Sequence, residues 1–196
     1  MSVIFGIHEL DKITIVADKR EYNKRTGKYT DNSQKLFVIH EQLCVATAGN
    51  IAISKAVNLE INRYIEEIGD KISTDDVTSI IKSLYDKIIK NNPDLLNYPF
   101  CCIYAGISKE GKPSLVCGTR CRDGYIFNTV QQIIFNPADM DKKECEGILI
   151  KNYIIVRGNY PKNILCEVAE KSKFVSQNGD KWVFDIKAKR GTLTQI

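Results

Sequence analysis

Four short apolar runs in the first fifty residues constrain this chain more than anything that follows. They are Val3–Ile7, Ile13–Ala17, Leu36–Ile39 and Leu43–Ala48, the first two rich in β-branched residues. Such runs, bounded by polar links, read as strands that are at least partly buried. His8–Lys12 joins the first two, which predicts a hairpin, and His40-Glu41-Gln42 joins the second pair. Between the pairs, Glu21–Gln34 is polar and turn-forming, with Gly27 inside it, and reads as a loop or a frayed short hairpin.

From Ile51 the period changes. Ile53, Val57, Ile61, Tyr64 and Ile68 follow steps of three and four, and Gly69 ends that helix. Ser73 is the expected N-cap of a second amphipathic helix through Ile89, with Asp76 three residues on. Phe100–Ile107, Pro113–Cys117 and Gly124–Val130 read as three strands, turning at Glu110-Gly111 and Arg122-Asp123-Gly124. Asp139 is the expected cap of a helix over roughly Met140–Val156, and Pro161 suits the first turn of another. Asn178-Gly179 then turns into a final strand, Trp182–Ile186, and the tail Lys187–Ile196 is expected to be loose. The order is four strands, two helices, three strands, two helices and a strand. With no repeat or linker, residues 1–196 form one expected domain, and strand groups separated by helix pairs point to two sheets packed face to face.

Composition narrows the class. The 196 residues are 43% hydrophobic and 27% charged, with a net charge of +4. That is ordinary for a globular domain and too mild for the basic footprint of a nucleic-acid binder. The cluster Lys24, Arg25 and Lys28 has no stacking aromatics apparent beside it and reads as a solvated loop. No apolar run has membrane-spanning length and no signal peptide is visible, so the cytoplasm is the expected compartment. The seven cysteines are an odd count and read as reduced, mostly buried thiols. Cys117 and Cys121 have the wrong spacing for a zinc knuckle, and His8 and His40 are far away in sequence, so no metal or other cofactor is expected.

Four landmarks carry a resemblance. Ser2 follows the initiator Met1; Val16-Ala17-Asp18-Lys19-Arg20 ends the second strand; Lys35-Leu36-Phe37 opens the third; Ala48-Gly49 ends the fourth, before the first long helix. In this order the chain resembles bacterial-type proteasome β subunits, which are N-terminal-nucleophile hydrolases. The resemblance implies an α+β, four-layer α-β-β-α sandwich, with two mainly antiparallel sheets between helix pairs. The family's Gly-Ser-Gly-like turn after the strand near Ile133–Phe135 is replaced by Asn136-Pro137-Ala138-Asp139. Its Asp and Ser before the last strand have no clean match within Ser176–Asp180.

The resemblance also implies roles. With Met1 removed, Ser2 supplies the nucleophilic hydroxyl and its α-amine the base. Lys35 places a positive charge beside that amine, Asp18 pairs with Lys35, and the Gly49 N–H faces the oxyanion. Arg20, Thr47 and Ile51, with Lys55 beside them, are expected to contact substrate. The expected reaction is hydrolysis of a peptide or acyl amide, in a homo-oligomeric ring that works with an ATPase partner. Taken singly, each landmark has a plain structural reading as a strand end, a surface lysine or a strand-to-helix turn. The alternative from another class is a catalytically silent structural or regulatory subunit.

Overall fold

A computed structural model describes residues 2–23, 26–69, 71–91, 93–94, 99–121, 124–156 and 159–196. Met1, Lys24, Arg25 and the turn residues Arg122 and Asp123 lie outside the described residues, as does the side chain of Cys121. The elements are β1 (Ile4–His8), β2 (Lys12–Asp18), β3 (Glu21–Asn23), β4 (Lys28–Thr30), β5 (Leu36–His40), β6 (Leu43–Gly49), α1 (Ile51–Ile68), α2 (Thr74–Asn91), β7 (Phe100–Ile107), β8 (Pro113–Cys121), β9 (Gly124–Thr129), β10 (Gln132–Phe135), α3 (Lys142–Lys151), α4 (Tyr160–Lys171), β11 (Gly179–Asp185) and β12 (Arg190–Gln195). A π-helical turn, Asn152–Val156, continues α3.

The strands form one five-stranded sheet in the order β10-β1-β2-β11-β12, a second in the order β5-β6-β7-β8-β9, and a separate β3–β4 ribbon. All pairs are antiparallel. The expected four-layer α-β-β-α sandwich of two mainly antiparallel sheets therefore needs correction. Among the described residues the structure is a mixed fold of twelve strands in three antiparallel sheets with four helices, and strands dominate it. Beyond the eight strands expected from periodicity, β3 and β4 fall where a loop or frayed short hairpin is expected, β10 lies at the strand the resemblance implies near Ile133–Phe135, and β12 forms in the tail expected to be loose. β3, β4 and β12 are short or largely exposed and lack the apolar pattern that marks a half-buried strand, while β10 carries only the three-residue run Ile133–Phe135.

Burial explains the arrangement. Ile4, Ile13, Ile15, Trp182 and Phe184 of the first sheet meet Leu36, Ala46, Ile103 and Leu115 of the second in one core. On its other face the first sheet sends Phe5, Ile7 and Val16 toward Ile148, Ile164 and Val168 of α3 and α4. Val45, Tyr104 and Val116 of the second sheet do the same toward Val57, Ile61, Val77 and Ile81 of α1 and α2.

Local signals account for most boundaries. Gly69 caps α1 at φ 71°, with its N–H on the Ile65 carbonyl. Ser73 and Asp76 form a reciprocal cap: the Asp76 N–H reaches Ser73 Oγ (3.3 Å), and Ser73 N and Oγ reach Asp76 Oδ2 at 3.0 and 2.6 Å. The cap of α3 is Asp141, not the expected Asp139, which instead accepts from Ser172 Oγ at 2.6 Å. The tail expected to be loose pairs with β11 as β12, because Gly191 lets the backbone lie against the Trp182 indole. A Cβ there would sit 2.2 Å from that ring.

Candidate functional site

The antiparallel register of β1 and β2 sets Ile4 opposite Ala17, so Val3 comes to lie beside Asp18. The Asp18 N–H reaches the Val3 carbonyl at 3.2 Å, and the Val3 N–H turns to Asp18 Oδ1 at 3.0 Å. Ser2, itself 8% exposed, is thereby fixed at the mouth of the first sheet. The Asp18 carboxylate is fully buried and takes three further donors. Arg20 N lies 2.7 Å away, Ser176 N 3.4 Å and Lys35 Nζ 2.9 Å.

Lys35 reaches Asp18 from the other sheet. It precedes β5, where its carbonyl accepts the Thr47 N–H at 2.9 Å and extends the β5–β6 ladder. Its ammonium spans the gap between sheets, binding Asp18 and the Arg20 carbonyl. Among the described residues it makes no hydrogen bond to Ser2. Burial pushes the Asp18 carboxyl above its ordinary value, opposed by the Lys35 charge and the N–H donors. Burial likewise pulls the Lys35 ammonium below its ordinary value, opposed by Asp18.

Gly49 ends β6 at φ 110°, and a Cβ there would come within 2.1 Å of the Pro99 carbonyl oxygen. Successive N–H groups of a strand point to opposite edges. Thr47 N–H points to the β5 side, and Asn50 N–H points to the β7 side, binding Pro99 O at 2.9 Å. By that alternation the Gly49 N–H points to the β5 side, two residues beyond the last ladder bond from Thr47. Asn50 then caps α1, its Oδ1 accepting from Ala52 N and Ile53 N at 2.9 and 3.2 Å.

Ser2, Lys35, Thr47, Gly49, Ile51 and Arg20 all line one open pocket of about 720 Å³. Asp18 stands directly behind Lys35, and Lys55 is also on the wall. The seven site residues read from sequence thus fall in one place. The Arg20 guanidinium, however, is engaged by Asp31 at 2.7 and 2.8 Å and by the Lys173 carbonyl at 3.1 Å. Two features escaped sequence reading. Ser176 lies under Asp18, its hydroxyl accepting from Lys19 N (3.2 Å) and donating to Asn178 O (2.6 Å). Tyr22, Phe37 and Phe174 add aromatic wall to the pocket. A lone serine in a turn and single aromatics such as Tyr22 and Phe174 in polar segments carry no spacing signal, and Phe37 reads from sequence only as part of the apolar β5 run.

Ala138 brings a methyl group, not a hydroxyl, to the pocket from the Asn136–Asp139 turn. Asn136 is held by the carbonyls of Pro137 and Met140 at 3.1 and 2.8 Å. Rival nucleophiles are poor ones. Burial pushes the Cys101 thiol up to about 12 and those of Cys44 and Cys102 well above their ordinary value. Among the described residues, no His, Cys, Asp and Glu cluster has the arrangement of a metal site. Among the described residues, no helix is long and apolar enough to cross a membrane.

No family model matches the chain, and no curated protein matches it.

Proposed function

We propose that the pocket hydrolyses amide bonds with Ser2, freed of Met1, as an N-terminal nucleophile of the kind used by proteasome β subunits. The observation that carries this reading is the buried Lys35–Asp18 pair, whose lysine lines the same pocket as Ser2 and Gly49. Ser2 Oγ attacks the carbonyl carbon and gives its proton to the α-amine, whose ordinary pKa of about 7.7–8.0 suits a base near neutrality. The Lys35 charge favours the neutral amine and steadies the oxyanion, to which the Gly49 N–H donates. The C–N bond then breaks, the leaving amine takes the proton from the α-ammonium, and water hydrolyses the ester on Ser2. The apolar and aromatic wall suits a peptide or acyl-amide substrate. A cytoplasmic ring of identical subunits, served by an ATPase, belongs to the same proposal.

Intact-mass spectrometry after treatment with a β-lactone tests it. One adduct on Ser2, lost in Lys35→Ala while the protein stays folded, is expected. An unlabelled protein whose Met1 is gone, with no turnover of varied peptides, refutes it. The second reading is a silent structural subunit. It is favoured by the absent turn hydroxyl at Ala138 and by a Lys35 ammonium spent on Asp18 and Arg20 without touching Ser2. That reading expects the mass experiment to find no adduct and light scattering to find an assembly.

A further inference from the structure

Arg20 lies between β2 and β3, outside both ladders, yet its main chain serves both members of the buried pair. Its N–H binds Asp18 Oδ2 at 2.7 Å, and its carbonyl receives the Lys35 ammonium. No strand pairing holds that carbonyl in place. The flanking main chain is tied by the Ser33 N–H to the Lys19 carbonyl at 3.0 Å and by Glu21 pairing with Thr30, and the Arg20 side chain adds a further anchor. The guanidinium grips Asp31 through Nε and Nη2, meets the Lys173 carbonyl through Nη1, and lies 4.3 Å over the Tyr29 ring. The β3–β4 register sets Glu21 opposite Thr30, so Arg20 and Asp31 face each other at the base of the ribbon. Their bond staples that base four residues before Lys35 leaves it. Beyond the staple, Tyr22 packs edge-on against Phe174 at 5.1 Å, and both line the pocket.

We propose that Arg20 is a positioning residue for Lys35. Its side-chain grip on Asp31, Tyr29 and the Lys173 carbonyl holds the Arg20 main chain where it orients the ammonium and braces Asp18. The inference rests on the hydrolytic reading above, and it assigns the guanidinium to the ribbon instead of to substrate. A planar fork stacked on an aromatic ring is a geometry lysine does not reproduce. The ribbon wall and the Lys35 charge are in consequence mechanically joined.

The test is the rate of β-lactone labelling of Ser2 in the full chain from pH 5 to 9, for Arg20→Ala, Asp31→Asn and Arg20→Lys. Partners that orient a functional group typically change activity by about ten- to a hundredfold. Arg20→Ala and Asp31→Asn are each expected to slow labelling by that factor. Each also moves the rising limb of the profile to higher pH, because a displaced Lys35 no longer favours the neutral amine. Arg20→Lys falls between, and the double variant is no slower than either single one. A purely structural role would scale the rate equally at every pH, in step with the unfolded fraction, and overturns the proposal. If Arg20→Ala does not fold, Asp31→Asn carries the same test. An unlabelled wild type overturns this inference and the hydrolytic reading together. A labelled wild type whose profile the variants share overturns only the role of Arg20.

Discussion

Replacing Lys35 with methionine keeps most of the side-chain volume and removes the cation. Asp18 then keeps a carboxylate with no solvent exposure and three N–H donors, from Val3, Arg20 and Ser176. Breaking a buried pair by removing one partner costs about 3–5 kcal/mol. The three surviving donors place this case at the lower end, about 3 kcal/mol at pH 7. For a chain of this size that is a drop of roughly 6–12 °C in Tm. The pH dependence discriminates further. Burial already pushes the Asp18 carboxyl up, and losing Lys35 removes the largest opposing influence. A folded-state value above the unfolded one of about 3.9 means the folded chain holds the proton more readily. The variant therefore gains stability as pH falls and loses it as pH rises from about 4, until the folded-state value is passed. Urea unfolding at pH 5, 7 and 8 measures this. A loss under about 1 kcal/mol at pH 7, or one that does not shrink toward pH 5, refutes the buried-pair argument.

Gly49→Ala forces a side chain into φ 110° and against the Pro99 carbonyl; the expected cost is at least about 1–3 kcal/mol of strain, read by thermal unfolding. Ser73→Ala removes the α2 cap and costs about 1 kcal/mol in urea unfolding. Burial pushes the Asp76 carboxyl up, but Lys109 and Ser73 outweigh it and hold the carboxyl below its ordinary value. Asp76 thus adds stability that is full above its unfolded pKa and lost as pH falls through the lower folded value, and Asp76→Asn should flatten that acid limb. Gly191→Ala drives a methyl into the Trp182 indole and should cost about 1–3 kcal/mol, with a shift in tryptophan emission reporting the displaced ring.

How far the sequence was legible depends on what kind of signal each element leaves. β1, β2, β6 and β7 are buried runs and β5 an apolar but half-exposed one, and all are legible within a residue or two, as is α1, whose helical period ends on Gly69. Ser73 and Asp76 were legible because a capping box is a local contract between two positions. β12 was not, because its exposed Thr192 and Thr194 alternate with nothing apolar except a half-exposed Leu193. What places it is Gly191 against Trp182, a tertiary fit with no local trace. The cap of α3 was misassigned by two residues because Asp139 and Asp141 are equally good caps locally. The Ser172 hydroxyl, thirty-three residues away, claims the first. At the site, Asp18, Lys35 and Gly49 are legible through their order, whereas nothing local in Ser176–Asp180 marks the Ser176 contact with Asp18.

The site's dependence on Asp18 explains why such scattered residues were needed to see it. One carboxylate receives donors from Val3, Arg20, Lys35 and Ser176, which come from both sheets and both ends of the chain. A charge this deep is tolerated only when its donors are all present, since each one missing leaves desolvation uncompensated. The donors meet only after β2 has paired with both β1 and β11 and the second sheet has packed across them. The pocket wall consequently depends on long-range pairings and on no single local segment. A perturbation of the β1–β2–β11 pairing, however far from Ser2, should therefore disturb Lys35 before it disturbs the helices. Conversely, loosening α1 against α2, whose core lies on the far face of the second sheet, should leave the Asp18 cluster intact.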